Sequence, residues 1–127
     1  MNVEKKFGKG AVLVWKDRKR FLGMPLSFTR YYLIKKPGSW FKIFSDIGLT
    51  YSVVDEVNLY RVYDISLSQS FVGKMFNTGT VTLYSNDERT PKFVLKNVKD
   101  PFKVRDMFSN YIEEQRKLNN VHVTEFQ

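Results

Sequence analysis

Gly79-Thr80-Val81-Thr82-Leu83-Tyr84-Ser85, followed by Lys92-Phe93-Val94-Leu95-Lys96, is the stretch that decides the fold. In both segments apolar and polar residues alternate, which is the pattern of a strand with one buried face. The intervening Asn86-Asp87-Glu88-Arg89 has the polar composition of a turn. These residues therefore predict two antiparallel strands joined by a short connection.

A single helix is predicted directly after this hairpin. Asp100 can accept hydrogen bonds from the free amides of a first turn, and Pro101 suits the first helical position because an N–H there would be unpaired. Apolar residues then recur at spacings of three and four, at Val104, Met107, Phe108, Tyr111, Ile112 and Leu118. We expect Asn119-Asn120 to end the helix, and the apolar stripe to be buried against a sheet or across the open end of a barrel.

Five further strands are predicted upstream, at residues 10–15, 28–36, 40–47, 51–57 and 61–69. The charged residues 16–20 are expected to interrupt the first strand. Residues 70–78 contain Phe71, Val72, Met75 and Phe76, which predict one helical turn tucked on the core. Seven short strands and one terminal helix indicate a mainly β fold, an antiparallel sandwich or partly open barrel capped by one C-terminal α-helix.

The chain is expected to form one domain. Its 127 residues are enough for one core, and we assign residues 10–118 to the domain, 1–9 to a mobile basic lead-in and 119–127 to a tail that is free or adds to a sheet edge. The longest apolar run, residues 11–15, is too short for a bilayer core of roughly 30 Å, and no secretory signal is evident. The absence of Cys suits the cytoplasm, so we expect a cytoplasmic protein, free or peripheral to a membrane.

Positive charge is concentrated at the N-terminal end. Residues 1–36 hold ten Lys and Arg against two acidic residues, a net charge of +8, whereas residues 37–127 hold eleven of each sign. Such asymmetry indicates an anionic partner, which can be a membrane surface, a nucleic acid or an acidic protein face. A basic surface that only keeps the protein soluble is the other interpretation.

Catalytic and metal sites are not predicted. His122 is the only histidine, in the expected tail, which leaves neither a histidine-based triad nor a two-histidine metal site. Asp55 and Glu56 are adjacent on a strand and so face opposite sides. Because Gly-rich phosphate loops are also missing, we expect neither an enzyme nor a bound cofactor.

Several motifs resemble the bacterial pleckstrin-homology-like (PH-like) domain family. They are Leu59-Tyr60-Arg61-Val62-Tyr63-Asp64-Ile65-Ser66-Leu67-Ser68-Gln69-Ser70, the strand start Gly79-Thr80-Val81, the opening Thr29-Arg30-Tyr31-Tyr32, and Val98-Lys99-Asp100-Pro101 before the helix. The resemblance covers about residues 27–117. It implies two roughly orthogonal antiparallel sheets of seven strands in all, capped by the C-terminal helix. PH-like folds serve as lipid-headgroup binders, peptide binders and assembly modules.

The candidate site is a set of basic residues on the first two strands and their connection, namely Lys16, Arg18, Lys19, Arg20, Arg30, Lys35 and Lys36. In PH domains that bind inositol phosphates the basic site lies in this region, with a Lys on the first strand and a basic pair, one residue apart, on the second. Here Arg30 is followed by Tyr31-Tyr32, so that pair is missing. The resemblance therefore implies diffuse attraction to anionic lipid rather than a tight inositol-phosphate site.

Two functional hypotheses follow. The leading one is a non-catalytic binding module that engages a protein partner or a second copy at an exposed sheet edge, with the basic N-terminal region favouring anionic surfaces. The alternative is a peripheral binder of anionic membrane lipid acting through residues 16–20. Nucleic acid is an unexpected partner, because the aromatic signatures of RNA-recognition sheets are missing.

Overall fold

Seven strands form two antiparallel sheets in a computed structural model, which describes residues 2–49 and 52–125, with side chains up to residue 120. The first sheet has the order β1-β2-β3-β4 and the second β5-β6-β7. The strands are β1 (Val12–Arg18), β2 (Thr29–Lys36), β3 (Trp40–Ile47), β4 (Val53–Asn58), β5 (Val62–Ser68), β6 (Thr78–Ser85) and β7 (Lys92–Lys99). The helices are α1 (Val3–Phe7), α2 (Phe71–Phe76) and α3 (Pro101–Glu125), with a 3-10 turn at Leu59–Arg61. The predicted fold class is confirmed, and the two sheets are not closed into a barrel. Tyr51, the predicted start of the fourth strand, lies outside the described residues, as does Thr50 before it.

The first strand continues through part of the charged cluster that was expected to interrupt it. It pairs with β2 as far as Arg18, which lies opposite Arg30, and Lys16 lies opposite Tyr32. Ladder hydrogen bonds use backbone groups, so charged side chains are tolerated wherever one face of an antiparallel sheet meets water. The prediction of a break at residue 16 is therefore wrong, and the charges lie on the strand itself.

The main core lies between the two sheets and α3. Val104, Phe108 and Ile112 of the helix are buried there with alternate residues of the strands. The ring of Phe108 meets Trp15 edge-on at 5.6 Å between centroids, and Tyr111 lies 4.5 Å from Phe41. The helical stripe read from the sequence is thus confirmed as the face that packs on the sheets.

Gln115 is a buried polar residue within this helical face. Its side chain is 2 % exposed. Its Oε1 accepts a hydrogen bond of 2.9 Å from the Phe41 amide, and its Nε2 donates one of 2.8 Å to the Ser39 carbonyl. Gln115 therefore attaches α3 to the β2–β3 turn, a role that hydrophobic periodicity alone does not reveal.

The segment expected to be a mobile lead-in is instead attached to the outer face of the first sheet. Phe7 is 7 % exposed and packs against Tyr32 and Phe44, with ring centroids 5.4 and 4.8 Å away. Ala11 and Ile34 complete this second cluster. A four-stranded sheet with apolar residues on both faces needs cover on each side, and α1 supplies part of the outer cover.

The short helix α2 forms where one helical turn was predicted, but its apolar side chains do not pack into the core. Only Gly73 is buried, and a Cβ atom at that position would lie 2.6 Å from the Thr78 carbonyl oxygen. The helix thus approaches β6 through its glycine, and the four apolar side chains are 42–78 % exposed. The prediction that they are tucked on the core is wrong because this close approach turns them outward.

The ends of α3 also differ from expectation. The Asp100 carboxylate accepts from the Asn77 side-chain amide rather than from the first helical turn. At the other end the helix runs to Glu125, past Asn119-Asn120. Asn in a helix costs only about 0.7 kcal/mol relative to Ala, so two Asn residues do not by themselves end one. The predictions of a helix end there and of an extended segment after it are wrong, whereas a free tail stays a prediction.

Strict alternation along β5 would place Tyr63 on the same face as Ile65 and Leu67. The register shifts between Val62 and Asp64, which marks a β-bulge. A bulge inserts one residue and changes the alternation, so Val62 is buried whereas Tyr63 is 56 % exposed.

Replacing Gln115 by Ala should lower the free energy of unfolding by about 2 kcal/mol, because the buried Phe41 amide loses its partner. Urea unfolding followed by circular dichroism measures this. Glu114→Ala, at the exposed neighbouring position, is the matched control and should change stability by less than about 0.5 kcal/mol. Equal effects of the two substitutions would show that Gln115 does not attach the helix.

Candidate functional site

A basic pocket of about 380 Å³ opens on the outer face of the first sheet, beside the connection between β1 and β2. Its lining consists of Lys16, Asp17, Arg18, Arg20, Pro25, Arg30 and Tyr32. Four of these residues are basic and one is acidic, so the pocket is suited to an anion.

The strand register places the basic side chains together. Lys16 and Arg18 are two residues apart on β1, and their partners Tyr32 and Arg30 are two residues apart on β2. Side chains at alternate positions leave a strand on the same face, and directly opposed residues have Cβ atoms about 5 Å apart. The two arginines are thus neighbours on the outer face, although they are twelve residues apart in sequence.

Asp17 is the one acidic residue of the lining, and its oxygens are engaged. Oδ1 lies 3.0 Å from Nη2 of Arg20, and Oδ2 accepts a 2.8 Å hydrogen bond from the Lys99 amide of β7. Arg20 also donates through Nη1 to the Gly23 carbonyl at 3.0 Å. Arg20 therefore braces the connection between β1 and β2 rather than offering a free guanidinium to a ligand.

The remaining cations of the lining differ from Arg20. They are Lys16, Arg18 and Arg30. Nε of Arg30 is buried and has no hydrogen-bond partner among the described residues. Among the described residues, the side chains of Lys16 and Arg18 also form no hydrogen bond or ion pair. Buried donors are normally paired. The basic side chains of the pocket can therefore donate hydrogen bonds to an anion.

Asp46 lies opposite Arg30 on β3 and connects the pocket to α1. Its carboxylate accepts a 2.9 Å hydrogen bond from Lys6, whose Nζ also lies 4.7 Å from the Tyr32 ring centroid. Burial raises the pKa of Asp46, but hydrogen bonds from Lys6 and Ser52 and the charges of Lys6 and Arg30 outweigh it, so the pKa lies below its ordinary value. Asp46 stays ionised at neutral pH and holds α1 on the sheet.

The structure brings together four of the seven basic residues predicted for the site, Lys16, Arg18, Arg20 and Arg30. Lys19 lies next to the pocket without lining it, and its amide donates to the Thr29 carbonyl at 3.0 Å. Lys35 and Lys36 lie at the other end of β2, five and six residues from Arg30, which corresponds to about 17 and 20 Å along a strand. Lys36 donates to the Phe7 carbonyl and so attaches α1.

Sequence reasoning missed Pro25 and Tyr32 as lining residues and Lys6 and Asp46 as neighbours of the pocket. The alternation of β2 does place Tyr32 on the same face as Arg30. Lys6 and Asp46 are forty residues apart, so no local sequence pattern indicates their ion pair.

Other kinds of site are not evident in the described part of the chain. There, no three His, Asp or Glu side chains lie close enough to hold a metal ion. None of the described helices combines the length and apolarity needed to cross a bilayer. The His122 side chain lies outside those that the structure describes.

Comparison with known families decides the classification. The family model described as bacterial PH domain matches residues 26–112. The chain belongs to the bacterial PH domain family. Neither the curated proteins nor the solved structures that were compared give a match.

Membership confirms the resemblance and supports a binding module in general. The match begins after β1, so the PH domain model covers Arg30 and Tyr32, whereas Lys16, Arg18 and Arg20 precede it. The pocket is therefore shared between the matched region and a strand of this chain that lies before it. The assignment of residues 10–118 to the domain stays a prediction.

Removing the Asp46 carboxylate should destabilise this PH domain at neutral pH but not in acid. Because the folded-state pKa is lower than the unfolded value of about 3.9, ionisation favours folding above about pH 4, and that contribution is lost as the pH falls through the lowered pKa. Asp46→Asn should therefore cost about 1 kcal/mol at pH 7 and much less near pH 2.5.

Urea unfolding at both pH values is the measurement. Asp106→Asn, at an exposed carboxylate paired only with Arg105 among the described residues, serves as the control. An Asp46→Asn cost that is the same at both pH values would show that the charge does not attach α1.

Proposed function

We propose that this PH domain binds a phosphate-bearing anion in the basic pocket. The observation that carries the proposal is the pairing of Arg18 with Arg30 on adjacent strands, together with the buried and unpartnered Nε of Arg30. Two neighbouring guanidinium groups repel each other, and an anion between them removes that repulsion.

Phosphate is the anion that this arrangement suits best. A guanidinium presents its donors in a planar fork that matches the oxygens of phosphate or carboxylate, and such charge-assisted hydrogen bonds are about twice as strong as neutral ones. Lys16 adds a flexible ammonium group at the same pocket. A volume of about 380 Å³ accommodates a headgroup-sized ligand. A lipid headgroup and a free phosphate compound share this chemistry.

Protein binding is the second candidate function, favoured by the edge strand β4. Val53 and Val54 of this edge are 49 % and 51 % exposed, and an edge strand can accept another strand. A symmetric antiparallel pairing of two copies about the centre of β4 would place Asp55 against Glu56 of the copy, which is repulsive. This edge therefore suits a different protein chain better than a second copy.

Arg18→Gln and Arg30→Gln should each weaken the binding of inorganic pyrophosphate by about tenfold, since each removes one charge-assisted contact. The measurement is a ¹H–¹⁵N NMR titration of the full chain, with amide shifts expected in β1 and β2. A parallel titration with sn-glycerol 3-phosphate tests a headgroup fragment, and tighter binding of that compound would favour a lipid source.

Lys35→Gln is the matched control, because it removes the same charge from β2 outside the pocket. It should leave the affinity within about twofold of the original. Equal weakening by Lys35→Gln and Arg18→Gln would reveal general charge attraction and refute the pocket, as would shifts that avoid β1 and β2.

A further inference from the structure

The edges of the two sheets are not protected alike. A strand edge leaves a row of backbone N–H and C=O groups that another strand can pair with, so folded proteins usually cover, bend or shorten their edges. In this domain the edge strands are β1, β4, β5 and β7. Neighbouring segments close three of these edges, and β4 is the exception.

Hydrogen bonds attach β1, β5 and β7 to neighbouring segments. Where β1 meets β7, the Lys99 amide donates to the Asp17 carboxylate at 2.8 Å. At the start of β5, the Val62 carbonyl accepts a 3.2 Å hydrogen bond from Nη2 of Arg116 in α3. A bulge also interrupts the pairing of β1 and of β5. These edges therefore offer little regular backbone to an added strand.

The edge of β4 is regular and uncovered. The strand pairs with β3 in unbroken register over all six of its residues, and it contains no Pro. Among the described residues, no hydrogen bond from outside this ladder reaches the backbone of residues 53–57. Val53 and Val54, on opposite faces of the strand, are both about half exposed. A free backbone edge with a β-branched residue on each face is suited to pairing with an extended chain segment.

A cleft runs along this edge. A cavity of about 310 Å³ lies between β4 and the connection from β6 to β7. Three successive residues of β4, 54–56, line it. Because successive side chains leave a strand on opposite faces, this cavity lies at the strand edge. A second cavity of about 450 Å³ shares Asp55, Arg89 and Thr90 with the first, so the two form one continuous cleft.

Asp55 sets the charge that a docked segment should carry. It lines both cavities, and among the described residues its side chain forms no ion pair or hydrogen bond. Glu56, in contrast, lies 3.7 Å from Nζ of Lys42. Arg89 also lines the cleft, but it belongs to the β6–β7 connection and not to the strand that a partner would pair with. A Lys or Arg opposite Asp55 is therefore the favourable cross-strand neighbour.

We propose that β4 binds an extended segment of another protein as an antiparallel fifth strand of the first sheet, with a Lys or Arg opposite Asp55 and apolar residues opposite Val54 and Val53. This inference rests on protein binding at β4, the second candidate function, and names the chemistry of the partner. Antiparallel pairing continues the arrangement of the sheet, and it gives the order basic, apolar, apolar along the partner. Main-chain hydrogen bonds supply the affinity, and the charge pair at Asp55 supplies the selectivity.

The test is a ¹H–¹⁵N NMR titration of the full chain with the capped hexapeptide Thr-Thr-Lys-Val-Val-Thr, up to millimolar concentration. Amide shifts are expected in β4 and in residues 87–90 rather than in β1. The same peptide with Glu in place of Lys should bind at least about fivefold more weakly, since repulsion opposite Asp55 replaces attraction.

Charge reversal at Asp55 tests the selectivity. Asp55→Lys should reverse the preference, so that the Glu peptide binds at least about fivefold more tightly than the Lys peptide. Glu113→Lys makes the same charge change at an exposed position of α3 and should leave the affinity for the Lys peptide within about twofold. Reversal in both variants, or in neither, would show that Asp55 does not select the partner and would overturn the proposal.

Methylation of alternate peptide nitrogens tests whether the segment adds as a strand. In an added strand only every second N–H points at β4. Of two Lys peptides methylated at alternate positions, one should bind within about threefold of the unmethylated peptide and the other at least about tenfold more weakly. Equal binding of the two would refute strand addition.

The outcomes separate this inference from the function on which it rests. Equal binding of the Lys and Glu peptides, with shifts in β4, would leave protein binding at β4 standing and refute the basic partner. The absence of binding by both peptides, or shifts confined to other strands, would refute both. The pyrophosphate titration tests the basic pocket independently of either result.

Discussion

The carboxylate of Asp17 connects the two sheets and shapes the site between them. It accepts from the Lys99 amide of β7, pairs with Arg20, and accepts from the Arg18 amide at 2.8 Å. Through Arg20 and the Gly23 carbonyl it directs the connection between β1 and β2, and a second link runs from the Arg20 amide to Asn97. Both the basic pocket and the exposed apolar residues 21–26 of this connection depend on the direction that the connection takes.

The strand β2 serves two different surfaces because its side chains alternate. Tyr31 and Leu33 face the main core, whereas Tyr32 and Ile34 belong to the outer cluster with Phe7. The Tyr31 hydroxyl accepts from the Lys96 amide of β7 at 3.1 Å, and burial raises its pKa, with Asp17 adding to the rise and the hydrogen bond opposing it. At the outer face α1 covers one end and the pocket occupies the other. The same alternation thus supports the core and exposes Arg30 to a ligand.

Much of the architecture could be predicted from local pattern. Alternation in β6 and β7 and the stripe of α3 correctly identified Val81, Leu83, Phe93 and Phe108 as core residues, since burial of one face imposes those periods. Predictions from local pattern were wrong where a single backbone feature decides which way the side chains face. The close approach of Gly73 to Thr78 turned α2 outward, and the bulge at Val62 exposed Tyr63. For the site, the sequence located the basic region but could not separate Lys35 and Lys36, which lie at the other end of β2, from the cations of the pocket.

The sequence by itself determined the mainly β class, the C-terminal helix with its buried stripe, the concentration of positive charge before residue 37, and the resemblance to PH-like domains. These depend on composition and on local periods, which one stretch of chain carries alone. Only the tertiary structure decided that Arg18 faces Arg30, that Arg20 is occupied by Asp17, and that the apolar residues of α2 meet those of the β1–β2 connection. Such pairings depend on strand register and on contacts between residues far apart in sequence, for which no local pattern exists.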